Sequence, residues 1–310
     1  MAILDDDAAQ MIALLASSAG ADITQMSPPE VRAYYDQFPA MPGAQVHEVR
    51  DFPIPGPQGD IPVRLYRPSA ATGLPVLVWY HGGGMVIGTL KQADWVCRQI
   101  CADAGMVVVS VDYRLAPENK FPAAVEDAYA AAAWVYAHAA EIGGDAARVS
   151  VGGDSAGGTC AAVASLLARD QGGAVILSQL LVYPGTDRDL TRPSVTEFAE
   201  GPVLTKAAML WFRGHYHSDP AQLSDPRANP ALATTHRGLP TAFVITAEVD
   251  PIRDAGENYA RLLAQAGVLT WSKRYNGVFH GFFTMGPMMA KTREAVADAT
   301  RFLRHMNGSI

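Results

Sequence analysis

Short apolar runs alternate with longer stretches along most of this chain, and this alternation is its main structural signal. Each apolar run has the length of a strand, and each stretch between two runs is long enough for a helix. We predict core strands at 76–80, 107–111, 149–152, 176–183, 241–246 and 270–275, and helices near 92–103, 122–139, 156–170, 254–266 and 287–305. Continuous apolar strands that alternate with helices are typical of a mostly parallel sheet covered by helices on both faces.

Two further segments precede these runs and have a different pattern. Residues 46–52 and 61–67 alternate apolar and polar positions, with prolines and glycines between them. Such alternation predicts an antiparallel hairpin at the edge of a sheet. The sheet is therefore expected to contain eight strands.

Two regions interrupt the strand and helix alternation. Residues 1–45 mix apolar and acidic positions and include Ser27-Pro28-Pro29-Glu30, a typical helix start, so we expect two helices there. Residues 185–235 contain repeated X-Pro pairs around one helical stretch at 205–216. An insertion at that point would lie above the strand ends. We expect both regions to form a helical cap on a core domain of residues 46–184 and 236–310.

Composition narrows the possible classes of function. The 310 residues include 24 Lys or Arg and 31 Asp or Glu, a formal charge of −7, so we expect no nucleic-acid partner. The N-terminus is acidic and the apolar stretch 11–16 is too short for export or for spanning a membrane, so we expect no membrane association. Three cysteines at positions 97, 101 and 160 have no metal-like companions. We expect them to be buried thiols of a cytoplasmic protein.

The segment Gly153-Asp154-Ser155-Ala156-Gly157 is the strongest chemical signal. It matches G-x-S-x-G and lies between a predicted strand and a predicted helix, which is the context of a nucleophile elbow. Glycines suit the strained backbone of such a turn, which exposes the serine hydroxyl and directs the Ala156 amide at the group attacked. Ser155 as an ordinary helix N-cap is the alternative.

Three other segments supply what a reactive serine needs. His81-Gly82-Gly83-Gly84 follows a predicted strand and exposes amides that could bind an oxyanion. Asp250 follows the strand at 241–246, and His280 lies in a glycine-containing loop after the last strand. The order serine, acid, histidine is the order of the α/β hydrolases. These residues therefore indicate a Ser155, His280 and Asp250 triad.

Six motifs together resemble the hormone-sensitive lipase family of bacterial carboxylesterases. They span roughly residues 46 to 305: His81-Gly82-Gly83-Gly84, Tyr113-Arg114-Leu115-Ala116-Pro117-Glu118, Phe121-Pro122-Ala123-Ala124, Gly153-Asp154-Ser155-Ala156-Gly157-Gly158, Asp250-Pro251-Ile252-Arg253-Asp254 and His280-Gly281-Phe282. The resemblance implies an α/β-hydrolase fold with a lid and esterase activity on short acyl chains. It also implies Asp250 as the acid, not Asp254. Met85 departs from the family, which usually has an aromatic residue there.

We expect a carboxylesterase that hydrolyses small-molecule esters with short to medium acyl chains through an acyl-enzyme. Gly82, Gly83, Gly84 and Ala156 are the candidate oxyanion hole, and no metal or organic cofactor is expected. Packing of the cap's own small core is the alternative role for each candidate pocket residue. The pocket candidates are Met85, Leu204, Trp211, Phe212 and Phe282.

Other functions remain open at this stage. An amidase or arylformamidase would use the same triad, and a ligand-binding protein on this fold would lack the triad histidine. A homodimer could form through an exposed sheet edge at 268–275.

Several neighbouring polar residues are expected to have supporting roles. We expect Asp154 to support the turn and Asp254 to cap a helix or pair with a neighbour. His215 and His217 are expected on a solvated face of the cap instead of in a metal site.

A charged group follows the strand at 107–111. Arg114, Glu118, Glu126 and Asp127 are expected to form one network that braces the glycine loop, with a solvated surface cluster as the alternative.

Overall fold

A computed structural model describes residues 4–17 and 22–308 of the chain, which form an eight-stranded sheet with helices on both faces. The strands are β1 (Glu48–Gly56), β2 (Gly59–Arg67), β3 (Leu74–Tyr80), β4 (Val107–Val111), β5 (Gly144–Asp154), β6 (Ser178–Val182), β7 (Thr241–Val249) and β8 (Thr270–Phe279). Their order in the sheet is β1-β2-β4-β3-β5-β6-β7-β8. The pairs β1–β2 and β2–β4 are antiparallel, and the other five pairs of the sheet are parallel. The expected α/β-hydrolase fold is confirmed.

The helices form two layers because both faces of the central strands are apolar. The helices of the described residues are α1 (Asp6–Ser17), α2 (Pro28–Asp36), α3 (Leu90–Ala104), α4 (Ala123–His138), α5 (Ala156–Gln171), α6 (Pro193–Glu197), α7 (Lys206–Tyr216), α8 (Arg253–Gln265) and α9 (Ala290–Met306). Of these, α1, α3, α4, α5, α8 and α9 form the two layers. Val76 and Val78 of β3 pack into the layer that contains α4, α5 and α8. Leu77 and Trp79 pack into the layer that contains α1, α3 and α9. Successive side chains of a strand point to opposite faces, so β3 serves both layers.

The structure differs from the sequence-based elements mainly at their ends. β1 continues through Pro53 and Pro55 to Gly56. Prolines are tolerated there because β1 is an edge strand, where a backbone N–H that faces away from the sheet has no strand to bind. The insertion at 185–235 contains α6 in addition to the expected helix, so the prediction of a single helix there was wrong. Pro193 begins α6, where proline's fixed φ and missing N–H cost nothing.

The N-terminal helices and the insertion lie against each other and against the core. Trp211 Nε1 of α7 donates a hydrogen bond to the Met26 carbonyl at 3.2 Å. Arg32 of α2 reaches the loops that follow β3 and β4, where it donates to the carbonyls of Val86 and Ala116. These contacts attach both segments at the carboxyl edge of the sheet. In the part of the chain that the structure describes, no helix is both long and apolar enough to cross a membrane.

Candidate active site

Ser155 occupies a strained turn between β5 and α5. Its φ is +54° and its ψ is −115°, values that a residue with a Cβ adopts only where the surroundings impose them. A Cβ at Gly157 would overlap the Tyr80 carbonyl, so β3 and α5 approach too closely for any larger residue there. The Ser155 side chain caps no helix amide. The N-cap alternative therefore does not account for its hydroxyl.

The Ser155 hydroxyl forms one end of a hydrogen-bonded chain of three side chains. Its Oγ lies 3.0 Å from Nε2 of His280, and Nδ1 of His280 lies 2.8 Å from Oδ2 of Asp250. Asp250 follows β7 and His280 follows β8, and parallel strands bring both ends to the sheet edge where β5 ends. This is the geometry of a nucleophile, its base and the acid that orients the base.

The surroundings of Asp250 and His280 hold both side chains in place. The Asp250 side chain is fully buried, and its Oδ1 accepts the Ile252 amide at 2.8 Å. The ring of Tyr183 lies 4.7 Å from that of His280. Asp254 points elsewhere, because its carboxylate accepts the Ser194 amide at 2.8 Å and pairs with Arg253.

The glycine loop after β3 lines the same cavity as Ser155, but the Gly82 amide is not one of its free donors. The Gly82 N–H donates to Oδ1 of Asp154 at 3.0 Å, so its predicted place in the oxyanion hole was wrong. The amides of Gly83, Gly84 and Ala156 have no acceptor among residues 4–17 and 22–308. Ala156 begins α5, where the first amides of a helix have no intrahelical partner. Three donors are therefore available for an oxyanion beside Ser155.

Two buried titratable groups support this loop. His81 Nδ1 lies 2.7 Å from the Gly82 carbonyl, and its ring stacks on Tyr113 with centroids 4.3 Å apart. Burial lowers the pKa of His81 to about 4, so the ring is neutral. Burial raises the pKa of Asp154 to about 6, partly offset by the charge on His280 and by the Gly82 amide. The sequence indicated Asp154 as support for the serine turn, and the contact shows that it also holds the glycine loop.

A cavity of about 280 Å³ opens onto Ser155 and His280. Three of the predicted pocket residues, Met85, Leu204 and Phe212, line it, together with Ile23 and Tyr35 from the N-terminal segment. The cavity is small for an enzyme site. Its wall comes from the core, the insertion and the N-terminal segment together.

Two predicted pocket residues do not line this cavity. Phe282 is completely buried and packs on the rings of Tyr183 and Tyr275, because the chain turns inward directly after Gly281. Trp211 lies between Phe212 and His215 and points its indole N–H at Met26. Both predictions were wrong for the same reason: apolar side chains near a site also fill the packing beneath it.

The cavity wall also contains polar residues that the sequence did not single out as pocket residues. Arg188, Arg213, Tyr216 and His217 all line it. His217 is buried, with 8% of its surface exposed, so the expectation of a solvated face was wrong for this residue. Among the described residues no group of three or more His, Cys, Asp or Glu is arranged to hold a metal ion.

The charged residues after β4 form separate pairs, so the single predicted network was wrong. Arg114 binds the completely buried carboxylate of Asp127 through two nitrogens, at 2.8 and 2.7 Å. Glu118 pairs with Arg32, and Glu126 lies 3.6 Å from Arg227. The partners Arg32 and Arg227 come from the N-terminal segment and the insertion, which spacing within one sequence segment does not reveal.

Comparison with known proteins supports the geometric observations. A family model described as alpha/beta hydrolase fold matches residues 77–284. The chain is 45% identical to carboxylic ester hydrolase LipN of Mycobacterium tuberculosis over 83% of this chain and 72% of the relative. It is 46% identical to carboxylesterase NlhH of the same species over 79% of this chain and 78% of the relative. A solved esterase of Pyrobaculum calidifontis superposes with a TM-score of 0.90 at 40% identity, covering 98% and 99% of the two chains.

Proposed function

The chain belongs to the hormone-sensitive lipase-like family of α/β hydrolases and is a carboxylic ester hydrolase, and on that premise we propose that Ser155 is its nucleophile, His280 its base and Asp250 the acid. The observation that carries this assignment is the chain of contacts at 3.0 and 2.8 Å that begins at a strained serine. Strain at a single non-glycine residue persists where function requires it.

The proposed reaction proceeds through an acyl-enzyme. His280 Nε2 takes the proton of Ser155 as Oγ attacks the ester carbonyl carbon, and the carbonyl oxygen becomes an oxyanion held by the amides of Gly83, Gly84 and Ala156. The carbon to alkoxy oxygen bond then breaks, and the leaving alcohol takes the proton from His280. A water molecule then attacks the carbonyl carbon of the acyl-enzyme while His280 takes its proton. The bond to Ser155 Oγ breaks, Oγ takes the proton from His280, and the carboxylic acid is released. Asp250 holds the ring tautomer and stabilises the imidazolium.

The substrates proposed are esters with short to medium acyl chains. A cavity of about 280 Å³ leaves little room for a long chain. The presence of His280 in contact with Ser155 argues against a ligand-binding protein that has lost its triad. Nothing in the wall favours an amide over an ester, so hydrolysis of aryl amides and formamides is a comparison to include in the assay.

Replacement of the nucleophile tests this assignment. Ser155→Ala should lower kcat on nitrophenyl esters by a factor of about 10⁴ or more, because triad members act as a unit. Ser165→Ala is the matched control, since Ser165 is a buried serine of α5, the helix that Ser155 precedes, and its hydroxyl donates to the Ala161 carbonyl. Ester hydrolysis that survives in Ser155→Ala would refute the assignment. A series of acyl chain lengths with the wild type should show a maximum at short to medium chains.

We further propose that residues 1–45 and 185–235 act together as the cap of a catalytic domain formed by 46–184 and 236–310. Ile23 and Tyr35 on one side and Leu204 and Phe212 on the other share the cavity wall, which supports a joint role. A deletion of residues 1–45 should therefore change the preference for acyl chain length. An unchanged preference with retained activity would contradict the proposal.

Assembly and location are proposed on narrower grounds. β8 is an edge strand, and Leu269 beside it is 60% exposed, so a homodimer could form by pairing of two β8 strands. Light scattering that gives a monomer mass at every concentration would exclude it. All three cysteines are free and buried, which is consistent with a reducing compartment such as the cytoplasm.

A further inference from the structure

Two arginines in the cavity wall lack the carboxylate partners that most arginines near the site have. Arg192, for comparison, pairs with Asp187, and Arg114 pairs with Asp127. Arg188 and Arg213 line the same cavity as Ser155. Among the described residues neither forms an ion pair. Two unpaired cations therefore lie in the wall of the candidate active site.

The contacts of these arginines leave their donors available. Arg188 uses only Nε, which donates to the Ala228 carbonyl at 2.9 Å, and burial lowers the pKa of its guanidinium. Arg213 extends from α7, and its side chain has no hydrogen-bond acceptor within residues 4–17 and 22–308. A partly desolvated cation without a counter-charge is costly to the free protein. An anionic ligand would supply the missing counter-charge.

Two neutral donors lie beside the arginines. The Tyr216 hydroxyl and Nδ1 of His217 are buried and unpartnered, and both residues line the cavity. Burial, with the charges of Arg188 and Arg213, lowers the pKa of His217 to about 4. The ring is therefore neutral near pH 7 and can donate a hydrogen bond without adding charge. The effect on His217 also indicates that both guanidinium groups are within electrostatic reach of the same ring.

The carboxylates of the wall are already engaged. Asp187 is held by Arg192, and Asp154 accepts the Gly82 amide. The chain as a whole carries a formal charge of −7, which repels anions in general. Attraction of an anion to this cavity would therefore come from local donors.

We propose that Arg188, Arg213, Tyr216 and His217 form an anion subsite that selects esters bearing a second, ionised carboxylate. Guanidinium groups suit this task because their planar donors match both oxygens of a carboxylate. The proposal rests on the proposed function of Ser155, because the carboxylate is bound while Ser155 attacks the ester group of the same molecule. Substrates of this class are monoesters of dicarboxylic acids or esters of hydroxy acids.

The test compares charged and neutral esters of the same shape. Ethyl hydrogen succinate is paired with ethyl isocaproate, whose branched end resembles a carboxylate without its charge. For an anion on the alcohol side, para-acetoxybenzoate is paired with para-isopropylphenyl acetate. The measured quantity is the ratio of kcat/KM for the charged ester to that for its neutral partner. The pair with the higher ratio identifies the side of the ester that faces the subsite.

The variants are Arg213→Met and Arg188→Met, with Arg237→Met as the matched control. Each of the first two should lower the ratio about tenfold, because a charge-assisted hydrogen bond to the charged ester is lost, whereas a change in the shape of the wall affects both esters of a pair. Arg237 is exposed and lies outside the cavity wall, so Arg237→Met should leave the ratio unchanged. Arg188→Lys should restore part of the ratio, since the charge returns without the planar fork.

The outcomes separate this proposal from the assignment of the triad. If the ratio is the same in the wild type and in both arginine variants for both ester pairs, the subsite is refuted while neutral ester hydrolysis by Ser155 stands. If Ser155→Ala still cleaves the neutral esters, the proposed function itself fails. Should Arg188→Met not fold, Arg213→Met still decides the result, because the Arg213 side chain holds no other residue in place.

Discussion

Asp154 carries a buried carboxyl group whose ionisation destabilises the folded protein. The substitution Asp154→Asn tests this effect on stability. Its side chain lies beneath the glycine loop and is 7% exposed. Burial raises its pKa from 3.8 to about 6, against the opposing effects of the His280 charge and the Gly82 amide. An asparagine retains an oxygen that can accept the Gly82 N–H but carries no charge. The substitution therefore separates the charge of Asp154 from its hydrogen bond.

The sign of the effect follows from the raised pKa. The native protein binds the Asp154 proton more tightly than the unfolded chain does, so the wild-type free energy of unfolding falls as pH rises from about 4 to about 6. A shift of about 2 pH units corresponds to about 3 kcal/mol over the whole window, of which about 2 kcal/mol lies between pH 4 and pH 7. The Asp154→Asn variant has no carboxylate at this position, so its free energy of unfolding does not fall for this reason as pH rises. Its free energy of unfolding, relative to the wild type, should therefore rise by about 2 kcal/mol across that interval.

Urea titrations of both proteins at several pH values between about 4 and 7 measure this difference. Groups distant from Asp154 titrate alike in the two proteins, so their contributions cancel. Asp189→Asn is the control: Asp189 is exposed, and its hydrogen bonds with Thr191 lower its pKa, so it should not show the rise. A difference between Asp154→Asn and wild type that stays constant over the whole interval would refute the reasoning, because Asp154 would then ionise alike in both states.

Three further expectations follow from other contacts. Gly84→Ala should lower kcat on short esters about a hundredfold, because the added methyl would overlap the Phe212 ring and disturb an amide of the proposed oxyanion hole. A double variant, Gly84→Ala with Phe212→Ala, should recover part of the rate. An unchanged kcat in Gly84→Ala would contradict the role of its amide as a donor. Arg114→Met should lower the free energy of unfolding by about 3 to 5 kcal/mol, since the substitution leaves the fully buried Asp127 without its ion-pair partner. Urea denaturation at pH 7 measures this free energy, and an unchanged midpoint would contradict the prediction. The kcat/KM of the wild type should fall at acid pH, because the base that takes the Ser155 proton must itself be unprotonated, and a flat profile from about pH 5 to 9 would exclude a histidine base.

The proposed triad could be predicted from the sequence because each member lies in a local pattern. Ser155 is flanked by glycines between a strand and a helix, and Asp250 and His280 follow apolar runs that end at the same sheet edge. In a parallel sheet, strand order brings such ends together without any detailed knowledge of packing. The same logic predicted the fold, since apolar strands that alternate with helices allow few other arrangements.

The side chains around the triad were harder to predict because their roles depend on contacts between distant segments. The bond from Gly82 to Asp154 joins residues 72 positions apart, and nothing in the glycine loop reveals that its first amide is engaged. Arg213 lies on an amphipathic helix, where a charged residue is normally expected on the solvated face. Only the placement of α7 over the sheet turns it toward the cavity.

Backbone strain and buried charge are concentrated at the same place in this protein. Within residues 4–17 and 22–308, the non-glycine residues with positive φ are Met85, Ser155 and Tyr183, and all three line the cavity. Each such conformation costs on the order of 1 to 3 kcal/mol, and the ionised Asp154 beside them adds a cost of similar size. The Met85 carbonyl accepts the Ala116 amide at 2.8 Å, which helps to hold its turn. Beneath the site, β4 and β6 are buried along their whole length and β3 at every residue after Leu74, so the core can maintain a site that would not be stable by itself. Substitutions that relax these residues should therefore stabilise the fold and slow the reaction together.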